Sequence, residues 1–134
     1  MRSKNRILAI IILFTVITVP LLFAQPEDTK SSKPNPKVTF IELGSVNCIP
    51  CKAMQPVMKN IEKKYGNQVE VIFYDIWSEE QQSYAEKYGI SLIPTQVFLD
   101  ADGKEFHRHE GFYPEEEIDK ILESKGLKSI KIKG

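Results

Sequence analysis

The chain has two cysteines, Cys48 and Cys51, and they are spaced as Cys48-Ile49-Pro50-Cys51 at what reads as the junction between a strand and a helix. A thiol at a helix N-terminus faces unpaired backbone N–H groups and the positive end of the helix dipole, so its thiolate, the nucleophilic form, is favoured. The dipole alone contributes ~0.3–1 kcal/mol, less than the ~1.4 kcal/mol of one pKa unit, so stronger activation requires hydrogen bonds made directly to sulfur. Cys48, at the outer end, is placed to attack a disulfide. Cys51, one helical turn further in, is placed to attack the mixed disulfide so formed and release reduced substrate.

Three other uses of the pair compete with this one. A purely structural disulfide gains little, because its closed loop is very short. A metal site needs two further ligands, and His107 and His109 lie at i and i+2 of one expected strand, on the same face. A Cys2His2 site therefore stays open, although neither pair has the usual finger spacing. Haem attachment requires His directly after the second cysteine, where Lys52 stands.

The elements around the pair follow from periodicity and punctuation. Val38-Thr-Phe-Ile-Glu-Leu43 is a short apolar run ending at Gly44, which predicts a buried strand. Cys51, Met54, Val57, Met58, Ile61 and Tyr65 recur at helical spacing, with Pro56 expected to kink the helix and Gly66-Asn67 to end it. Val69–Asp75 reads as the next strand. Ser78-Glu-Glu-Gln81 has the pattern of a capping box opening a second helix that Gly89 ends. Thr95-Gln-Val-Phe-Leu99 predicts a strand, Asp100-Ala-Asp-Gly103 a hairpin turn, and Lys104 to Glu110 the returning strand. Pro114 with Glu115, Glu116 and Glu117 opens a last helix, with Ile118, Ile121 and Leu122 inward and Lys125-Gly126 at its end. The order β-α-β-α-β-β-α predicts an α/β fold: a central mixed β-sheet flanked by helices, its first two strands parallel and its last two a hairpin.

The N-terminal segment argues for export. Arg2, Lys4 and Arg6 precede an uncharged apolar run over residues 7–23, the layout of a secretory signal. Seventeen helical residues reach roughly 25 Å, short of the ~30 Å hydrocarbon core, and Pro20 sits near the far end. Ala24 is the expected residue before the cut. Leu22 is larger than cleavage prefers, so residues 1–24 are either a signal peptide or an uncleaved membrane anchor. Residues 25–37, rich in proline and polar side chains, read as a flexible linker, and 38–134 as one globular domain of about 97 residues. From residue 25 onward there are 15 basic and 18 acidic side chains, a formal charge of −3, which argues against nonspecific nucleic-acid binding.

These residues together resemble the thioredoxin family from about Val38 to Lys125. Cys48-Ile49-Pro50-Cys51 matches its redox motif, Pro56 the proline of its active-site helix, Ile93-Pro94-Thr95 the loop holding its cis-proline, Asp100–Gly103 its later hairpin and Gly111 the glycine after it. The resemblance implies a thioredoxin-like fold and a cis Pro94 beside the cysteines. It also implies a peptide-binding role for Ile49, Pro50, Ile93, Pro94 and Thr95. Glu42 stands where the family commonly has a buried aspartate that exchanges a proton with the second cysteine; burial of a carboxyl raises its pKa and suits that task. Strand alternation leaves open that Glu42 faces solvent instead. The chain departs from the family pattern at Asn47, where an aromatic is usual, at Ile49-Pro50 in place of Gly-Pro, and in having no lysine before Asp75. Ile93 before the cis-proline resembles reducing members.

The expected protein is thus an exported enzyme, periplasmic or otherwise extracytoplasmic, secreted or tethered by residues 7–23. It reduces protein disulfides with Cys48 and Cys51 catalytic and Glu42 assisting, with no metal and no cofactor beyond the redox-active disulfide. The resemblance implies a membrane thiol-electron transporter as electron donor, and a monomer is the simplest state. The alternatives are an oxidase or isomerase using the same sulfurs, or a non-catalytic metal- or partner-binding module. His107 and His109 are expected at the surface, Trp77 in the core or bordering the redox face, and Met54 and Met58 in the core.

Overall fold

A computed structural model describes residues 35–130; the expected signal or anchor over 1–24 lies outside them, as does most of the expected linker. The elements run β1 (Val38–Gly44), α1 (Ile49–Tyr65), a 3-10 turn (Gly66–Gln68), β2 (Val69–Asp75), α2 (Ser83–Lys87), β3 (Thr95–Asp100), β4 (Glu105–Glu110) and α3 (Glu115–Ser124). The strands form one sheet in the order β2-β1-β3-β4. β1 is parallel to β2 and antiparallel to β3, and β3 is antiparallel to β4 with an irregularity between Phe98 and Leu99. This is the expected mixed sheet.

β1 is buried on both faces, which is why it reads as a continuous apolar run. On one face Val38 and Phe40 join Phe98 in packing against Met54, Val57, Met58 and Ile61 of α1 and Ile118 and Leu122 of α3. On the other, Ile41, Leu43 and Val97 pack with Ile72, Tyr74, Tyr84 and Tyr88, covered by α2. Phe98 is central to the larger cluster: it is fully buried, stacks on Phe40 at 4.8 Å between centroids and meets Tyr113 edge-on at 6.4 Å.

α1 runs as one helix through Pro56, whose missing N–H leaves the Lys52 carbonyl without its helical partner. At its far end Lys64 pairs with Glu115 at 2.6 Å and Asp119 at 2.7 Å, and the Tyr65 hydroxyl donates to Asp119 at 2.9 Å, so α1 is clamped to α3. α3 ends as expected: Leu127 N–H reaches the Leu122 carbonyl and Gly126 N–H the Glu123 carbonyl, with Leu127 buried.

The second helix corrects the sequence reading. It starts at Ser83 rather than at Ser78, and Ser78 and Gln81 form no capping box. The Ser78 hydroxyl donates to the Asp75 carbonyl at 2.8 Å, and the Gln81 side-chain oxygen accepts from Asp75 N–H at 2.8 Å. Both side chains therefore close the end of β2 and neither is free to cap a helix. Trp77, in that turn, is 63% exposed rather than in the core, because Ile76 takes the inward position beside Tyr74 and Leu43.

Phe98→Ala is expected to lower unfolding free energy by about 3–5 kcal/mol, whereas Phe98→Leu, which preserves more of the packed volume, costs about 1.5 kcal/mol or less. Equal losses for the two in denaturant titration would contradict the assignment of Phe98 as the packing centre.

Candidate functional site

The sheet topology gathers the C-terminal ends of β1, β2 and β4 and the start of β3 at one end: Gly44 pairs with Asp75, Leu43 with Thr95, and Thr95 with Glu110. Cys48 is the N-cap of α1 at that end, and Cys51 lies in its first turn. Their Cα atoms are 5.2 Å apart and the sulfurs form a disulfide. The Cys48 sulfur accepts a hydrogen bond from Cys51 N–H at 3.3 Å. The donor is one of the helix's otherwise unpaired N–H groups, aimed at the sulfur that carries the charge when Cys48 is a thiolate. Cys48 is more enclosed than the sequence suggested, retaining 7% exposure, while Cys51 has none.

Gly44 explains how Cys51 gets so close to the sheet. A Cβ at Gly44 would lie 3.1 Å from the Cys51 sulfur, 3.2 Å from its Cβ and 3.2 Å from the Phe73 ring. The absence of a side chain is thus a condition of the helix seat.

The Ile93–Pro94 peptide is cis, and Pro94 is buried. The Pro94 carbonyl accepts from Gly111 N–H at 2.7 Å, and the Thr95 hydroxyl donates to the Leu92 carbonyl at 2.7 Å. Thr95 is fully buried, so its side chain holds the loop from within, while Ile49, 83% exposed, and Pro50 stand outside. Val46, Leu92 and Phe112 are also exposed at this end of the sheet.

Glu42 faces inward. It shares β1 alternation with Val38, Phe40 and Gly44, hence the side of the sheet on which α1 and Cys51 sit, about 7 Å back along the strand from Gly44. It is fully buried, and its pKa is pushed up to about 8, chiefly by desolvation, against which a hydrogen bond from Gln96 acts. Gln96, also fully buried, donates to Glu42 Oε2 at 2.9 Å and to the Gly111 carbonyl at 3.0 Å. Sequence reading missed Gln96, which shows there only as a polar residue directly before the apolar run Val97–Leu99, two residues after Pro94.

His107 and His109 are half-buried rather than at the surface. Both pack on Tyr113, which is held against α1 by a bond from its N–H to the Met54 sulfur at 3.3 Å. His109 stacks on the Tyr113 ring at 3.9 Å, and a His107 ring nitrogen lies 3.0 Å from the Tyr113 hydroxyl. Burial, and then the neighbouring His109, holds the His107 pKa below its ordinary value. Among the described residues no three His, Cys, Asp or Glu side chains gather into a metal-holding group.

A sequence model described as a thioredoxin-like domain matches residues 25–126. Thioredoxin H5 of Arabidopsis thaliana is 29% identical over 84% of this chain and 92% of its own length. The thioredoxin of Bacillus subtilis is 32% identical over 56% of this chain and 69% of its own. Against the chloroplastic thioredoxin Y of Oryza sativa subsp. japonica, 30% identical, the chain covers 71% of itself but spans about half of that protein, 52%. Among solved structures, a Malassezia sympodialis thioredoxin superposes with a TM-score of 0.57 at 28% identity, covering 68% of this chain and 77% of that one. A mutant thioredoxin from Halobacterium salinarum gives 0.59 at 24% identity, over 67% and 75%.

The fold and the disulfide at the head of α1 define a thiol-disulfide oxidoreductase of the thioredoxin class. The chain belongs to the thioredoxin-like family, and Cys48–Cys51 is its redox-active pair.

The raised pKa of Glu42 has a stability consequence of definite sign. Below about pH 4.5 folded and unfolded states both hold the proton; as pH rises to about 8 the unfolded chain releases it first, so folded stability falls, and above about 8 the loss is complete. In oxidised protein, where the cysteines do not titrate, Glu42→Gln is expected to stabilise by a few kcal/mol more at pH 9 than at pH 5. A pH-independent difference in denaturant midpoint would rule out burial as the cause.

Proposed function

We propose that this chain is an extracytoplasmic reductase of protein disulfides, with Cys48 as the attacking and Cys51 as the resolving thiol. The observation that carries the assignment is the bond from Cys51 N–H to the Cys48 sulfur at the helix head, which favours a thiolate at the outer of the two positions. The order of exposure, Cys48 above Cys51, agrees with it.

In the first step the Cys48 thiolate attacks one sulfur of the substrate disulfide; a Cys48–substrate disulfide forms, the substrate S–S bond breaks, and one substrate thiolate leaves. Glu42 accepts the Cys51 proton. The Cys51 thiolate then attacks the Cys48 sulfur, the Cys48–Cys51 disulfide forms, and the second substrate thiolate leaves. Two electrons pass from the cysteine pair to the substrate; the proton held by Glu42 and the one Cys48 gave up on forming its thiolate return through solvent to the two substrate thiolates. Ile49 and Pro50, between the cysteines, and the backbone of Ile93–Thr95, at the same end of the sheet, serve as the peptide-binding rim, an extended strand being the fitting ligand beside the Pro94 loop.

Export rests on the basic tip and the apolar run over residues 7–23. A domain working outside the cytosol must be re-reduced there, so a membrane thiol-electron transporter is the proposed donor, and the protein is proposed to act as a monomer.

Cys51→Ser is expected to accumulate as a mixed disulfide with its substrate, and Cys48→Ser to form none. Trapping by Cys48→Ser instead would exchange the two roles. The potential of the pair in residues 25–134, titrated in thiol buffers, decides direction: a value near about −270 mV, that of thioredoxin, fits a reductase, and one near about −120 mV makes the protein an oxidant.

A further inference from the structure

Three residues on neighbouring strands lie in one register row, Glu42 on β1, Gln96 on β3 and His109 on β4. The first two are fully buried and bonded to each other. Gln96 has two amide N–H groups, and both have acceptors: Glu42 Oε2 at 2.9 Å and the Gly111 carbonyl at 3.0 Å. A backbone carbonyl only accepts, so the amide's nitrogen and not its oxygen must face Gly111, and the orientation of the group follows from its partners.

Two further facts make this amide more than a packed polar side chain. Gln96 is the one hydrogen-bond donor to Glu42 among the described residues, Glu42 Oε1 and Gln96 Oε1 having no partner there. Gly111 is also the residue whose N–H holds the Pro94 carbonyl at 2.7 Å. The same amide thus ties the buried acid to the strand end that fastens the cis-proline loop. An ionised carboxylate in an apolar interior depends strongly on the donors it keeps.

We propose that Gln96 is a positioning residue for disulfide exchange, holding the Glu42 carboxyl in one orientation on the Cys51 side of the sheet and setting the pH above which it accepts the Cys51 proton. The role rests on the oxidoreductase reading given above. Gln96 touches neither sulfur and acts through Glu42. Its N–H stabilises the charged acid, so removing it moves the ionisation of Glu42 to higher pH.

The test has two readouts. Glu42 is titrated by carbon NMR of its carboxyl in the oxidised full-length protein, which needs no turnover. The second, Cys51-dependent phase of reaction with a chromophoric aryl disulfide is followed by stopped flow from pH 5 to 9. Gln96→Leu is expected to raise both the Glu42 midpoint and the acid limb of the second phase by about one pH unit or more, leaving the first, Cys48-dependent phase in place. In a Glu42→Gln background the same substitution should not move the limb. If Gln96→Leu does not fold, Gln96→Met, unbranched and of similar length, makes the same comparison.

An unmoved Glu42 midpoint, or a moved midpoint with an unmoved limb, overturns the proposal. So does a limb that still moves when Glu42 is Gln. Wild-type protein that titrates at Glu42 but exchanges no disulfide overturns the oxidoreductase reading, and this role with it.

Discussion

The seating of the first turn of α1 on the last residue of β1 is the constraint on which the redox site depends. Cys51 approaches Gly44 so closely that a single added carbon would contact its sulfur. That approach sets the depth of the helix N-terminus and with it the height of Cys48 and the N–H that points at its sulfur. Because Gly44 also accepts a hydrogen bond through its carbonyl from Ile76 N–H, the turn carrying Trp77 is fixed to the same point. The opposite end of α1 is held by the Lys64, Glu115 and Asp119 cluster. These side chains are only partly buried, so solvent weakens the ion pairs and Tyr65, buried and bonded to Asp119, provides the firmer link.

A polar pair in the middle of an apolar face has a cost that the fold accepts. Glu42 and Gln96 sit where strand alternation otherwise places Phe40 and Phe98, and they leave two oxygens without partners among the described residues. Replacing such a pair with hydrocarbon is often neutral or stabilising. Its retention beside a dithiol is understandable if proton affinity, rather than stability, is what the position supplies.

Much of this arrangement was legible in the residues. The two-residue spacing of the cysteines and the order of strand-like and helix-like segments led to the sheet and the helix head, and the family resemblance carried by Ile93-Pro94-Thr95 implied the cis peptide that the structure contains. Other features were not legible, for identifiable reasons. β1 is apolar on both faces, so alternation did not say which way Glu42 points. Ser78 and Gln81 have the residue types of a capping box, but tertiary contacts with Asp75 take both side chains. Gln96 went unremarked because its meaning lies in a partner 54 positions away, which periodicity within one segment does not reveal.

Met54 lies one turn beyond Cys51, fully buried, with its sulfur accepting the Tyr113 N–H. A peroxide that oxidises a thiolate also threatens a thioether, and a sulfoxide here would set a polar, chiral oxygen into the middle of the core. While the domain is closed, an oxidant that meets the outer cysteine does not meet this methionine. Oxygen on Met54 would therefore be a chemical record of how often α1 and the Tyr113 segment have parted, a molecular memory of opening written one helical turn from the disulfide.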